Sequence, residues 1–535
     1  MNGYMFGTLS GLEMCKGDRV SWHLLGLGSE ADIHSFFIFG NPITRSGRRH
    51  DSTSIFPHTS LTLLMEAKAV GDFGIVCRTM THFTEGMKHR YHVALCGGRL
   101  DPPPPHNIPT RRVYLAAVEI DWDYAPSRKW ELGRHNMTME ESYGHAFLAR
   151  GDTTIGSVYK KAVYREYTDE TFTERVQRGP KEEHLGILGP VLEAEVGERL
   201  EVVFKNMASR PYNIHAHGVY EQEDSCHIPP VYPGNTTTYR WFIAEWWGPT
   251  ENDPDCLTWA YYSTVNPNKD LHSGLIGPVV TCKKGKLHRE SGEDEDGDED
   301  DDDDDDDDDD SHQRGGRPGW AQKIRRFRGK GWALGRSIHH QRGLALGHRN
   351  PIDRDNIHIR RRWWDLKTLR RSRREARGVV AGADRAFALL FMVFDENHSW
   401  YLRENINRFC GTPSAVDMED EDFMESNKMH GINGLMYGNL HGLVMHAGEN
   451  VDWYLLGMGD EIDIHTAHFH GQGFTYQVLG HAHRADVFDL FPLTFETVRM
   501  VPENVGSWLL HCHVADHIHG GMETVYTVLE GQHAE

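Results

Sequence analysis

The sequence predicts an all-β chain of tandem antiparallel sandwiches, and three observations carry that expectation. Segments such as SWHLLGLG (21–28), TYQVL (475–479) and SWLLHCH (507–513) alternate apolar and polar residues over strand lengths, between Gly, Pro and Asn signals. The same pattern returns late in the chain as an internal repeat. The length of 535 residues leaves room for about three or four domains at roughly 100–200 residues each.

Hydrophobic residues at 39%, aromatics at 10% and charged residues at 25% are those of an ordinary globular chain, which excludes wholesale disorder and a fibrous fold. No apolar run reaches the roughly 18 residues of a membrane-spanning helix, and Met1 is followed by Asn-Gly-Tyr rather than a basic stretch and an apolar core. The expectation is a chain with neither a transmembrane segment nor a signal peptide. The formal net charge is -22. Residues 293–310 hold 17 acids, whereas residues 311–378 hold 20 Lys or Arg against 4 acids. These two blocks nearly cancel, so the rest of the chain is itself acidic. That balance argues against nucleic acid as a partner and suits the attraction of cations.

The elements follow in order. Residues 1–40 and 432–471 align without a gap, Trp22 falling on Trp453 and His34 on His465. Four extra residues later, Cys77, His82 and Met87 fall on Cys512, His517 and Met522. The chain therefore begins partway through a unit that it later repeats, and residues 1–97 are read as the C-terminal part of a sandwich. The Pro run within 98–110 cannot continue a sheet and is read as a stiff linker. A second sandwich is expected over 111–284, with VYLAAVEIDW, RLEVVFKN and TTTYRWFIA as strands. Residues 285–378, with eleven consecutive Asp at 300–310 followed by RRFRGKG and LRRSRREAR, read as a disordered low-complexity insert. A third sandwich is expected over 379–535, opening with FALLFMVFDE.

The repeated constellation is one His followed by Cys-x4-His-x4-Met: His34, Cys77, His82 and Met87, then His465, Cys512, His517 and Met522. Two imidazoles and a thiolate in a trigonal arrangement, with a long axial thioether, are the ligand set of a mononuclear blue-copper electron-transfer site. The copies differ at one telling set of positions. Phe37, Phe39, Val76 and Arg78 in the first become His468, His470, His511 and His513 in the second. On a strand, His511 and His513 point to the face opposite Cys512, which sets them against a second metal centre. The backbone then connects a site that accepts single electrons to one able to hold dioxygen. A structural zinc site is the competing reading, but zinc needs no thiolate between two imidazoles.

HCHVADHIHGGMETVYTVL, DIHTAHFHG, ESNKMHGINGLMYGNLHGL and NGYMFGTLSGLEMCKGD resemble the multicopper oxidases of the ceruloplasmin and hephaestin family, and the resemblance covers essentially everything outside 285–378. It implies cupredoxin-like Greek-key sandwiches, with this chain similar to the latter part of domain four, then domain five, then domain six of a six-domain ferroxidase. On that likeness His465, Cys512, His517 and Met522 are type 1 copper ligands. His468 is a type 2 ligand, and His470, His511 and His513 are type 3 ligands. Domain one of the full-length product would supply four further imidazoles to complete the trinuclear cluster. Domain five offers only His215 and His217, with Tyr262-Ser263-Thr264 where a second His pair would stand, so these two are expected to be satisfied structural histidines.

The same resemblance implies that ferrous iron is received by Glu425, His430 and Asp516, and carboxylates with an imidazole suit a hard divalent ion. At the corresponding place in the first copy, Glu461 matches a family acid but Thr81 stands where Asp is expected, so no iron is expected there. Cys15 with Cys96 and Cys256 with Cys282 resemble the family's disulfides and imply an oxidising compartment, leaving Cys226 and Cys410 over. Asn136, Asn235 and Asn397 head N-x-[ST] triplets. The implied location is extracellular or the outer face of the plasma membrane. The implied function is oxidation of Fe(II) with reduction of dioxygen to water. The alternative is a copper-binding electron-transfer fragment without oxidase turnover, and a coagulation-cofactor-like interaction module is weaker still, because both ligand sets are kept.

Overall fold

Alternation along the chain becomes three pairs of facing sheets in the computed structural model, which describes residues 1–29, 32–101, 107–221, 228–288, 379–380 and 382–531. In the first pair, a five-stranded sheet runs in the order Glu13–Cys15, Lys88–Ala94, Gly71–Cys77, His34–Ile38, Ser52–Ile55. It faces a four-stranded sheet ordered Arg19–Leu25, Ser60–Glu66, Ile43–Arg45, Arg48–His50. The second pair is built around Thr110–Asp123, Arg199–Asn206 and Thr236–Phe242 on one side, and Cys256–Tyr262 and Ile276–Cys282 on the other. The third places Arg385–Asp395, Val451–Gly457 and Thr494–Met500 in a six-stranded sheet, against Gly506–Cys512, His465–Phe469 and Glu523–Leu529 in a five-stranded one. The chain is mostly β, and no helix among the described residues is long and apolar enough to cross a membrane.

Pairing is mixed rather than purely antiparallel. Glu13–Cys15 runs parallel to Lys88–Ala94, Leu192–Glu195 to Ile276–Cys282, and Val444–His446 to Glu523–Leu529. Thr110–Asp123 and Arg385–Asp395 likewise pair in parallel with Arg199–Asn206 and Val451–Gly457. Alternating hydrophobicity reports which face is buried and is blind to the direction of the neighbour, so the sequence could not separate these cases. The Pro-rich linker has residues 102–106 outside the described residues, and regular pairing starts at Thr110. The acidic and basic insert is likewise outside them from residue 289 to residue 378. Its two flanks meet, because Leu287 and His288 pair antiparallel with Val380 and Val379.

Equivalent strands of the repeat are buried differently. Val451–Gly457 has neighbours on both sides and is buried throughout. Arg19–Leu25 pairs only with Ser60–Glu66 and alternates exposed with half-buried, leaving Leu25 76% exposed. Neighbours decide the outcome, since the two segments share the same core Trp and the same apolar rhythm.

The described sandwiches belong to one compact unit, and a buried ion node ties them together. Arg48 of the first donates Nη1 and Nη2 to the two carboxylate oxygens of Glu496 in the third, at 2.8 and 2.7 Å. Its Nε donates to Asp253 of the second at 3.2 Å. Removing the guanidinium would strand two buried carboxylates, a kind of loss that costs about 3–5 kcal/mol. Arg48→Met is therefore expected to lower the stability of the chain by about that amount, read as a fall in the urea midpoint. A midpoint unchanged from wild type would show that the node contributes nothing to holding the sandwiches.

Candidate metal centres

Two triangles of donor atoms form where a cysteine strand ends against a histidine strand. In the first copy Phe36 pairs with Cys77, which brings His34, two residues earlier on its strand, beside the thiol. After Cys77 the chain turns into the one-turn helix Met80–Thr84, which carries His82. A tight return closes it, Met87 N–H donating to His82 O at 3.0 Å and Cys77 N–H to Met87 O at 2.9 Å. His34 Nδ1 and His82 Nδ1 lie 3.1 Å apart, and Cys77 Sγ is 3.9 and 3.7 Å from them. The second copy repeats this. His465 Nδ1 and His517 Nδ1 are 3.1 Å apart, and Cys512 Sγ is 3.8 and 3.6 Å from them. His517 rides on the helix Ala515–His519, and Met522 N–H donates to His517 O at 2.9 Å.

Such spacings suit three atoms sharing one ion at about 2.0 Å from nitrogen and about 2.3 Å from sulfur. The donor chemistry, two imidazoles and a soft sulfur with a Met at the same end, fits copper in both oxidation states. The surroundings differ between the copies. Burial raises the Cys77 thiol, opposed by hydrogen bonds from Ser35 and Thr79. Burial also acts on Cys512, but its bonds to His465 and His517 outweigh it and bring the thiol down to about 6. For His465, burial is outweighed by Asp463, whose Oδ1 accepts from Nε2 at 3.0 Å, and the ring is raised to about 9.

A third group stands on the other face of the cysteine strand. His468 pairs with His511 across the sheet, and His470 Nε2 lies 2.9 Å from His511 Nε2. His511 Nδ1–H donates to the Cys512 carbonyl at 2.8 Å, which fixes the tautomer and leaves the Nε2 lone pair facing its neighbours. Burial, with the nearby imidazoles adding to it against that hydrogen bond, holds His511 down at about 4. Nitrogens of His468, His470 and His511 all fall within 4.8 Å of one another. His513 stands a step further out, its ring 5.2 Å from those of His468 and His511. Neutral imidazoles with lone pairs converging on one point are what a multinuclear metal group requires.

The residues considered for iron are less gathered. Glu425 is exposed and ion-paired to Lys428 Nζ at 2.8 Å. Asp516 is exposed in the first turn of the helix that carries His517. His430 is buried with its ring 5.2 Å from the His517 ring, its Nδ1 has no hydrogen-bond partner, and burial with the His517 and His465 rings holds it at about 3. Gly520 makes room for it, since a Cβ there would meet His430 Cδ2 at 2.6 Å. Glu425, His430 and Asp516 are not among the donor groups that converge within 4.8 Å in the described residues. At the corresponding place in the first copy, Thr81 Oγ1 donates to Glu461 at 2.9 Å.

His217 is satisfied at both nitrogens, by Asp51 at 2.8 Å and the Tyr262 hydroxyl at 3.0 Å. His215 departs from expectation, because its Nε2 has no hydrogen-bond partner although the ring is buried. One cluster escaped the sequence altogether. His272, His398 and Asp460, drawn from the second and third sandwiches, put donor atoms within 4.8 Å of one another. Residues so far apart share no spacing signal. The Asp395 N–H donates to His272 Nδ1 at 3.1 Å, and Nε2, which makes no hydrogen bond, faces Asp460 at 3.5 Å. The Nδ1 lone pair is thereby occupied by the backbone. The disulfides Cys15–Cys96 and Cys256–Cys282 are formed, Cys410 is a buried free thiol, and Cys226 lies outside the described residues.

The family model for multicopper oxidases matches residues 410–532. Ceruloplasmin of Homo sapiens is 44% identical over 532 residues, covering 99% of this chain and 41% of that protein. Hephaestin of Mus musculus is 43% identical over 530 residues, covering 99% and 38%, and Hephaestin of Homo sapiens is 42% identical with the same coverage. The chain thus spans about two fifths of the length of these relatives. Over 99% of its length the chain is similar to the ceruloplasmins and hephaestins, and the multicopper oxidase model matches it over residues 410–532.

Proposed function

We propose that this chain is the C-terminal half of a ferroxidase-type multicopper oxidase, with residues 1–97, 111–284 and 379–535 as its three working parts. The observation that supports it best is the run His511-Cys512-His513, in which Cys512 closes a buried His2Cys triangle while His511 joins an imidazole group on the opposite face. Copper held at these places would supply one-electron uptake at the two triangles and multi-electron reduction of dioxygen at the imidazole group. Cys77 and Cys512 give the soft donors, Asp463 orients His465, and the Cys512 carbonyl orients His511. Asp516, Glu425 and His430 receive Fe(II) at the edge of the second triangle, where Asp516 is open to solvent one residue before His517.

Four imidazoles, His468, His470, His511 and His513, make half of the cluster on this reading, and domain one of a longer six-domain product supplies the rest. The two disulfides fit an oxidising, extracellular setting. The second reading, copper binding and electron transfer without oxidase turnover, is favoured for the isolated chain by Tyr262 and Thr264, which give the second sandwich no further imidazoles to offer.

The iron step is tested by mixing ferrous iron with copper-loaded chain and following the bleaching of the visible thiolate band. Asp516→Asn is expected to slow bleaching of the Cys512 site about tenfold, or about 1.4 kcal/mol of barrier, with the band itself unchanged. Equal rates for wild type and variant across iron concentrations would remove Asp516 from the path.

A further inference from the structure

Beside Cys512 the chain places imidazoles; beside Cys77 the same four positions hold Phe37, Phe39, Val76 and Arg78. Arg78 follows Cys77 directly, and its backbone N–H donates to Ser35 O at 2.9 Å. Its side chain is 3% exposed. The guanidinium carbon lies 5.6, 5.5, 5.0 and 5.8 Å from the ring centroids of Phe37, Phe39, Phe83 and Tyr262. Nε and Nη1 make no hydrogen bond, and among the described residues no carboxylate forms an ion pair with Arg78. Asp51 borders the same aromatic pocket; its Oδ2 is bonded to His217 at 2.8 Å, its Oδ1 makes no hydrogen bond, and it forms no ion pair with Arg78. Arginine stays protonated in proteins, so a permanent positive charge is buried next to Cys77. Ring faces offset its desolvation without cancelling its field.

The Cys512 triangle has the opposite surroundings. Asp463 is wholly buried, accepts a hydrogen bond from His465 Nε2–H at 3.0 Å, and is held in place by the backbone N–H groups of Val393 at 2.7 Å and Asp460 at 2.8 Å. A carboxylate on the far nitrogen of a ligating imidazole raises its donor strength. At the first triangle the matching residue is Asp32, whose side chain is 41% exposed and 3.9 Å from His34 Nε2. It bonds instead to the Ser29 N–H at 2.7 Å. Glu461 does bring a negative charge near Cys77 and His34, but it is half-buried and water-accessible, where screening weakens a charge that the buried Arg78 keeps.

We infer that Arg78, together with the loose Asp32, sets the reduction potential of the Cys77 site above that of the Cys512 site. A nearby cation favours the state carrying one less positive charge, which is the reduced one; a carboxylate bonded to a ligand favours the oxidised one. One electron therefore moves from the Cys512 site to the Cys77 site when both can exchange it, with no proton and no co-reactant. The Cys77 site stores the electron, and the Cys512 site, joined through its own backbone to the imidazole group, is the stronger reductant. Arg78 acts as a positioning residue for charge, because it touches neither substrate nor donor atoms.

This rests on the copper reading above, and the test separates the two. In the copper-loaded full chain, Cys512→Ser leaves only the Cys77 band and Cys77→Ser only the Cys512 band, so each midpoint can be read by spectroelectrochemical titration. The Cys77 midpoint is expected to be higher. Adding Arg78→Gln in the Cys512→Ser background should lower the Cu(I) to Cu(II) ratio at a fixed potential about tenfold, or about 59 mV for one electron. Arg78→Lys, which keeps the charge, should recover most of the loss. Equal midpoints in the two single variants, a Cys77 midpoint below that of Cys512, or an Arg78→Gln midpoint unchanged would each overturn the inference; the first two comparisons hold even if Arg78→Gln folds poorly. Absence of both visible bands would instead overturn the copper reading, and this inference with it.

Discussion

Cys512→Ser and Cys77→Ser, made singly in the copper-loaded chain, are each expected to remove about half of the visible thiolate-to-copper absorption. Both thiols are almost wholly buried, so serine fits the space, but a hydroxyl is a hard, weakly acidic donor and cannot give the charge transfer that a thiolate gives. The two triangles share donor types and nearly the same spacings, 3.1 Å between the imidazole nitrogens in both. Their contributions should therefore be similar in size. A band unchanged in either variant would remove that triangle from the list of copper sites, and a band lost completely from one substitution would mean that only one triangle binds.

The second large effect concerns oxygen. Reduction of dioxygen to water takes four electrons, and each His2Cys triangle exchanges one. On the proposed reading the chain contributes His468, His470, His511 and His513 to a cluster, and the first copy does not complete it, since Phe37, Phe39, Val76 and Arg78 fill the matching places. The second sandwich lacks a second His pair, with Tyr262 and Thr264 in its place, and its His217 is already bonded to Asp51 and Tyr262. Supplying the four missing imidazoles from a domain-one partner, or placing the chain within a six-domain product, is expected to raise steady oxygen uptake with ferrous iron by about a hundredfold, the upper end of the scale on which even outer-shell losses act in metal sites. Oxygen uptake unaffected by the partner would show that this cluster is not assembled that way.

Much of the architecture was legible because the repeat doubled every signal. Strands such as Arg199–Asn206 and Gly506–Cys512 coincide with alternating segments, and the Cys-x4-His-x4-Met spacing recurs in both copies. What the sequence hid has physical causes. The helices Met80–Thr84 and Ala515–His519 are single turns, too short to show a helical period. Parallel pairing leaves the same alternation as antiparallel pairing. The node of Arg48, Asp253 and Glu496 and the group of His272, His398 and Asp460 join residues hundreds of positions or separate sandwiches apart, so only the fold brings them together. The field around each triangle was equally hidden: Asp32 and Asp463 occupy matching places in the repeat, yet one faces water and the other is buried against its histidine.

The most direct measurement is single-cycle reoxidation. The copper-loaded chain is reduced without air by ferrous iron, freed of excess iron, exposed to oxygen-saturated buffer, and the return of the visible band is followed beside the oxygen consumed. A chain that builds half of the cluster should bleach quickly and recover slowly, with recovery accelerated by the domain-one partner. Rapid recovery of the isolated chain with four electrons delivered per oxygen, abolished by His511→Ala, would contradict the account and mean that another set of histidines, or a second copy of the chain, completes the site.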